Sequence, residues 1–344
     1  MSTATLTINL RAIQENWRAL SDMSASETAA VVKADAYGLS AEPVAAALSH
    51  AGAKTFFVAV AEEGKAVRKA VGAEAQIFVF SGHMAGDTQT IKEQNLIPLL
   101  NSVDQMLLHF EKLRSHPFGL QLDSGMNRLG LEPEEWQAAR DMILPLGPHL
   151  VMSHLSCADE PKHSMNEAQL LTFKEMTEGV EAPLSLAATG GIFLGETYHF
   201  DMTRPGVGLY GGAPFHDAQP VVTLSLSVIQ SRLVEAGEAV GYGNSFIAKQ
   251  QMRVATLSAG YADGLIRAMS NAGAVLFDGI SCPILGRVSM DLIAVDISAL
   301  GSEPEALEIL NETQTVDDLA KSAGTIGYEI LTSLGSRYRR EYIT

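Results

Sequence analysis

Through its first two-thirds the chain alternates between two hydrophobic patterns. Short, nearly continuous apolar runs rich in β-branched and aromatic residues occur at 29–33, 56–60, 76–80, 97–100, 119–122, 150–154, 184–188 and 206–210. Between them lie segments of helical periodicity at 42–50, 61–71, 103–113, 134–142 and 166–176. Continuous apolar strands alternating with helices predict a parallel sheet covered by helices. Eight such strands predict an α/β fold of the (β/α)8 TIM-type barrel kind. The competing arrangement is an open, doubly wound sheet.

Near Asp217 the pattern changes. A long alternating run at 221–234 is followed by strand-like pieces at 253–258, 273–277, 284–286 and 292–295. One short helix is expected at 315–323, and Arg337, Arg339 and Arg340 give the chain a basic end. This predicts a C-terminal mostly-β domain. The expected division is a barrel over 1–218 and a β domain over 219–344.

Composition agrees with two domains. At about 150 residues per domain, 344 residues allow roughly two. Hydrophobic residues at 47% and charged residues at 19% argue for a sizeable core and against disorder. Lys plus Arg number 24 and Asp plus Glu 40, so the net charge is −16. Such a chain repels nucleic acid and anionic membrane, and neither is expected as a partner. The two cysteines, Cys157 and Cys282, cannot build a disulfide scaffold and point to a reducing cytoplasm. The start shows no basic region followed by an apolar one, so no secretory signal is expected. The longest stretch without Asp, Glu, Lys or Arg, 142–158, contains two prolines and falls short of a membrane span.

Several segments could carry chemistry. In VVKADAYG, Lys33 directly follows an apolar strand. It either snorkels into solvent or stands in the barrel mouth as a Schiff-base amine, activated by desolvation and nearby cations. In DSGMNRLG, glycines allow close approach of a ligand, and Arg128 offers a fork for a carboxylate or phenolic oxygen. On a plain loop the same arginine would be solvated surface. In SHLSCAD, His154 reads as a structural histidine or a site residue. No second ligand pair accompanies His154 and Cys157, so no metal site is expected. The segments AATGG (187–191) and RPGVGLYG (204–211) follow the last two predicted strands, the usual phosphate site of a barrel. As bare sequence they are also ordinary turns. In VGYG, Tyr242 is either a catalytic acid–base or a hairpin tyrosine. The segments GYADG (260–264) and GRVSMD (286–291) read alone as turns and strand ends.

In this order, these segments resemble the alanine racemases, a family of pyridoxal-phosphate enzymes built from a barrel and a β domain. The resemblance spans essentially the whole chain. It implies that Lys33 holds the cofactor, that Tyr37 lies near its phosphate, and that Thr189 with the backbone of Gly206 and Val207 binds that phosphate. Arg128 would face the cofactor's 3′ oxygen and the substrate carboxylate, and His154 would support the arginine at the pyridine ring, Arg204. An arginine does not readily give up a proton, so the ring nitrogen would stay unprotonated and transamination would be disfavoured. Tyr242 would be the second base and would reach the partner subunit's cofactor, which requires a homodimer. A phenol is a weak base at neutral pH, so nearby cations are needed. Met290 would bind the substrate carboxylate in trans, and Asp159, Tyr261, Arg267, Arg287 and Asp291 would line the entrance.

The chain departs from the family pattern in places. Asp35 stands for the commoner Asn, and Leu39-Ser40 for His-Gly. Gln121 stands where many relatives carry a carbamylated lysine, so it would have to orient Arg128 by hydrogen bonding alone. Ser336 stands where some relatives carry a gating tyrosine. The expected activity is interconversion of L- and D-alanine, supplying D-alanine for peptidoglycan. A serine or broad-specificity racemase of the same fold is the main alternative. A decarboxylase of basic amino acids and a non-catalytic single-barrel cofactor carrier are the others.

Overall fold

The computed structural model describes residues 4–344. Residues 1–3, at the head of the segment without a secretory pattern, lie outside the described residues. The chain forms two compact units, and each is described by itself.

In the unit spanning Ile13–Ala218, seven parallel strands follow one another in sequence order: Ala30–Val31, Thr55–Val58, Gln76–Val79, Ile97–Leu100, Gly119–Gln121, Val151–Met152 and Leu184–Ser185. In the second to sixth of these strands most residues are apolar on both faces and all but Gln76 are buried, as helices packed outside a parallel sheet require. Register is held strand by strand, with Ala30 beside Phe56, Phe78 beside Ile97 and Leu120 beside Val151. The predicted helices are present, and Ala61–Val71 has the expected bounds. Glu62 and Glu63 occupy its first turn and Arg68 and Lys69 its last, matching the helix dipole. Trp136 and Phe173 pack the space between the fifth and sixth strands and their helices, and the indole N–H donates to the Met176 carbonyl at 2.6 Å.

The eighth strand corrects the sequence reading. The run 206–210 is not a strand; Val207–Tyr210 is a 3-10 turn. The eighth position belongs to Met202–Thr203, which pairs in parallel with Glu27–Thr28, while Arg204 bridges to Ala188 on the other side. The Ala29 and Val31 amides donate to the Thr203 and Pro205 carbonyls at 2.9 and 3.0 Å, closing the barrel. Val207, Leu209 and Tyr210 are apolar because they are buried, not because they pair. The expected strand at 29–33 likewise ends at Val31, two residues before Lys33.

In the other unit, the 13-residue strand Val222–Val234 is the spine. Six antiparallel strands close into a ring: Met252–Leu257, Ile293–Asp296, Ile280–Leu285, Ala274–Phe277, Ala306–Leu310 and Val222–Val234. A register shift between Val228 and Gln230 bends the spine so that its two halves serve different neighbours. Outside the ring, Ala4–Asn9 pairs antiparallel with the spine and parallel with Arg339–Ile343. The first domain was expected to begin at residue 1. Instead, Ala4–Asn9 and Gln219–Thr344 belong to one compact unit, in which Ala4–Asn9 pairs with Val222–Val234 and with Arg339–Ile343. The helix at 315–323 is Val316–Ala323, with Thr315 as its cap in a capping box with Asp318. No helix among the described residues is long and apolar enough to cross a membrane.

Candidate active site

Lys33 opens a backbone turn of unusual hand. Ala34, Asp35, Ala36 and Tyr37 all have φ between 53° and 55°, a left-handed stretch closed by Gly38. Residues with a Cβ resist this region at a cost of roughly 1 kcal/mol or more each, and such strain gathers at functional sites. The turn is held from several sides. The Glu63 carboxylate accepts from the Ala34 and Ala59 amides at 2.7 and 2.8 Å, and Asp35 accepts from the Ala41 amide at 2.7 Å. Tyr37 stacks on Tyr210 with ring centroids 4.5 Å apart, and the Tyr210 hydroxyl donates to the Val31 carbonyl at 3.0 Å.

This geometry brings Lys33 into the barrel mouth half-buried, its ammonium 5.6 Å from the centre of the Phe80 ring. Burial holds the Lys33 amine below its usual range; the charge of Arg128 lowers it further, and Glu63 opposes both. His154 is pushed down to about 3, first by burial and then by Arg204, Arg128 and Lys33, so it stays neutral. Four of the expected site residues therefore lie within each other's field.

Arg204 is fully buried, and its guanidinium donates to the Ser185 hydroxyl, to the Ser153 carbonyl at 2.7 Å and to the Leu186 carbonyl at 3.3 Å. Burial lowers it to about 9, which leaves it charged at neutral pH. Beside it, the Thr189 hydroxyl accepts from the Gly206 and Gly208 amides at 3.0 and 3.3 Å. A Cβ on Gly206 would collide with the Tyr37 hydroxyl, and one on Gly190 would meet the Ala158 backbone at 2.9 Å. Gln121 is buried, and its amide donates to the Leu129 carbonyl at 3.1 Å. It thus fixes the backbone next to Arg128, whereas direct orientation of that arginine was expected. Asp123 shapes the same loop by accepting from the Gly125 and Met126 amides at 2.8 Å each. Asp159 is exposed on the loop after the sixth strand.

The remaining expected residues stand in the β unit. Tyr242 is 72% exposed and follows Gly241, whose φ of 77° turns the chain outward. With Arg287, Arg232, Ser289 and Leu292 it lines a cavity of about 330 Å³. The Arg287 guanidinium lies under Gly243, where a Cβ would meet it at 3.1 Å. The Tyr261 and Ala262 amides donate to the Ser289 and Met290 carbonyls at 2.9 Å, joining two of the expected segments. Ser270, in the turn of Arg267, accepts from the Val288 amide at 3.0 Å. Asp291 is gripped by Arg337 at 2.7 Å, and Arg337 also clasps both oxygens of the buried Asp263 at 2.6 and 2.7 Å.

Sequence reasoning missed Glu63, Phe80, Ser153, Ser185 and Arg337. The serines and Glu63 act through backbone and side-chain contacts that no local pattern announces. For Arg337 the basic chain end was visible, but not the carboxylates it would meet.

A closed parallel barrel with a depressed lysine just past one strand end, a buried arginine at another and a glycine–threonine cradle beside it is the arrangement of a barrel enzyme. The comparisons identify which barrel enzymes these are. The family model described as alanine racemase, N-terminal domain, matches residues 8–214, and the model described as alanine racemase, C-terminal domain, matches 221–342. The alanine racemase of Dinoroseobacter shibae is 61% identical over 344 residues, covering 99% of each chain. That of Cereibacter sphaeroides (strain ATCC 17025 / ATH 2.4.3) is 60% identical over the same length and coverage. The crystal structure of alanine racemase from Bartonella henselae with covalently bound pyridoxal phosphate matches with a TM-score of 0.94 at 38% identity, covering 100% of both chains. The chain belongs to the alanine racemase family, whose members are isomerases.

Proposed function

We propose that this protein is a pyridoxal-phosphate-dependent racemase that interconverts L- and D-alanine by moving one proton between two bases. The carrying observation is the half-buried Lys33 amine, lowered by burial and by Arg128, in a mouth that also presents Arg204 and the Thr189–Gly206 cradle. The donor set fits the cofactor. Thr189 and the backbone of Gly206 and Val207, with Tyr37 alongside, would hold its phosphate, and Arg204 its ring nitrogen with His154 in support. The Bartonella henselae neighbour carries covalently bound pyridoxal phosphate, which supports the same role for Lys33.

Pyridoxal phosphate, when bound, withdraws electrons from the Cα of an attached amino acid and makes its C–H bond acidic. The residues of this chain do the rest. Arg128 and Met290 bind and orient the substrate carboxylate. The Lys33 amine takes or returns a proton on one side of Cα, and the Tyr242 phenol does so on the other. In this reading the partner subunit's Tyr242 and Met290 complete each site, so the active form is a homodimer. Asp159, Tyr261, Arg267, Arg287 and Asp291 line the way in. The reaction is placed in the cytoplasm, with D-alanine consumed in peptidoglycan synthesis.

A circular dichroism assay of L-alanine with purified enzyme and cofactor tests the reading. Loss of optical activity is expected. Unchanged optical activity over many turnover times would sink it, and racemisation of serine in preference to alanine would move the substrate assignment.

A further inference from the structure

Three loops of the β unit meet at one side chain. They are the turn at 260–264, the loop at 286–292 and the chain near 333–337. Their approach is close: a Cβ on Gly260 would strike the Ser289 and Met290 carbonyls, and one on Gly264 would strike that of Ser333. The Gly335 amide donates to the Asp263 carbonyl at 3.0 Å, and the Gly260 amide to the Asp263 carboxylate at 3.0 Å. At the junction stands Arg337. Its Nε and one terminal nitrogen take both oxygens of Asp263, and its other terminal nitrogen takes Asp291. These bonds hold Arg337 firmly in its charged form.

The two carboxylates differ. The Asp263 side chain is 5% exposed and that of Asp291 54%. An ion pair as exposed as Arg337–Asp291 adds little to stability. Its effect is therefore positional: it fixes where the Met290–Asp291 loop lies relative to the Tyr261–Asp263 turn. A planar guanidinium can serve two carboxylates in fixed directions, which a lysine ammonium on a flexible stem cannot.

We infer that Arg337 is a positioning residue for substrate entry and binding, holding Tyr261 and Met290 in place through Asp263 and Asp291. The inference rests on the proposed function, in which Tyr261 and Met290 face the substrate's path. It also means that Asp291 shapes the entrance by being held rather than by meeting the substrate.

The test compares wild-type, R337K and R337A holoenzymes in both directions of alanine racemisation. In R337K, KM for both enantiomers should rise by about tenfold with kcat within about twofold, the scale of one charge-assisted hydrogen bond. The cofactor spectrum should stay at the wild-type value, and the thermal midpoint should fall less in R337K, which keeps a cation beside the buried Asp263, than in R337A. In R337A, millimolar guanidinium should restore part of the lost affinity. Unchanged KM in both variants would overturn the inference. So would a joint fall of kcat, KM and thermal midpoint that is equal in both variants and unresponsive to guanidinium, since that pattern marks a purely structural role. A wild-type enzyme without racemase activity would overturn the functional reading, and this assignment with it.

Discussion

The Tyr37 hydroxyl fills the space that a Cβ on Gly206 would need. It reaches that place because four residues after Lys33 run left-handed and Tyr37 then stacks on the buried Tyr210. Gly206→Ala should push the phenol away and spoil the cradle around Thr189. Affinity of the apoenzyme for pyridoxal phosphate should fall by about tenfold or more. Titrating apoenzyme with cofactor and following the bound absorbance checks this, and an unchanged affinity would separate Tyr37 from the phosphate site.

The Lys33 amine responds to two charges of opposite effect. A neutral amine is the form that captures an aldehyde. Arg128→Gln should raise the Lys33 pKa and slow capture of pyridoxal phosphate at pH 7 by roughly threefold or more. Glu63→Gln should act the other way. Stopped-flow capture rates of the apoenzyme across pH read both signs.

Tyr242 is exposed and not part of the core, so Tyr242→Phe should leave the fold of the protein intact. Racemisation in both directions should fall by about 10²–10⁴-fold, the usual worth of a placed acid–base group. Exchange of the Cα proton with solvent deuterium should survive for one enantiomer only. Equal loss of exchange for both enantiomers would contradict a division of labour between Lys33 and Tyr242.

Arg204 supplies donors to the Ser153 and Leu186 carbonyls in a fully buried place. Arg204→Met would leave those acceptors and the Ser185 hydroxyl without it. The expected cost is about 2–4 kcal/mol, measured by urea denaturation. A smaller loss would show that water replaces the guanidinium.

A buried histidine pair predicts acid sensitivity. The His109 Nε2 donates to the His116 carbonyl at 3.2 Å, so its Nδ1 must accept from the His83 Nδ1 at 3.1 Å, and the His83 Nε2 in turn accepts from the Thr88 hydroxyl at 2.8 Å. This chain works only with both rings neutral. Burial first, then neighbouring histidines, holds His109 at about 4, with the His116 carbonyl opposing. His83 is lowered by burial and His116, against Asp87. Between about pH 6.5 and 4 the unfolded chain binds more protons than the folded one, so stability falls as pH drops through that window. His109→Gln, which can accept and donate in the same directions, should flatten this loss by on the order of 1–2 kcal/mol in acid denaturation curves.

Much of the barrel was legible because it is local. The helix Ala61–Val71 and the strand Ile97–Leu100 have the expected bounds, since periodicity and burial on both faces leave a direct signature. The eighth strand was not legible. Met202–Thr203 is two residues long and the buried turn after it is more apolar, so hydrophobicity pointed to the wrong segment. The residue types of the proposed site stand in the motifs around Lys33, Arg128, Arg204 and Tyr242. The left-handed turn after Lys33 and the Glu63 carboxylate that anchors it were not legible, because both depend on a neighbouring strand and helix.

By itself the sequence determined the alternation of strand and helix, the change to β structure near Asp217 and the chemical groups available, since these follow from side chains a few positions apart. Tertiary structure decided which strand closes the barrel and that the strand near the chain start pairs with the end of the chain. It also decided that Gln121 holds a carbonyl rather than Arg128, and that Arg337 meets Asp263 and Asp291. Backbone pairing and charge pairing act between groups up to hundreds of residues apart, and their energies exist only once the fold has brought those groups within a few ångströms.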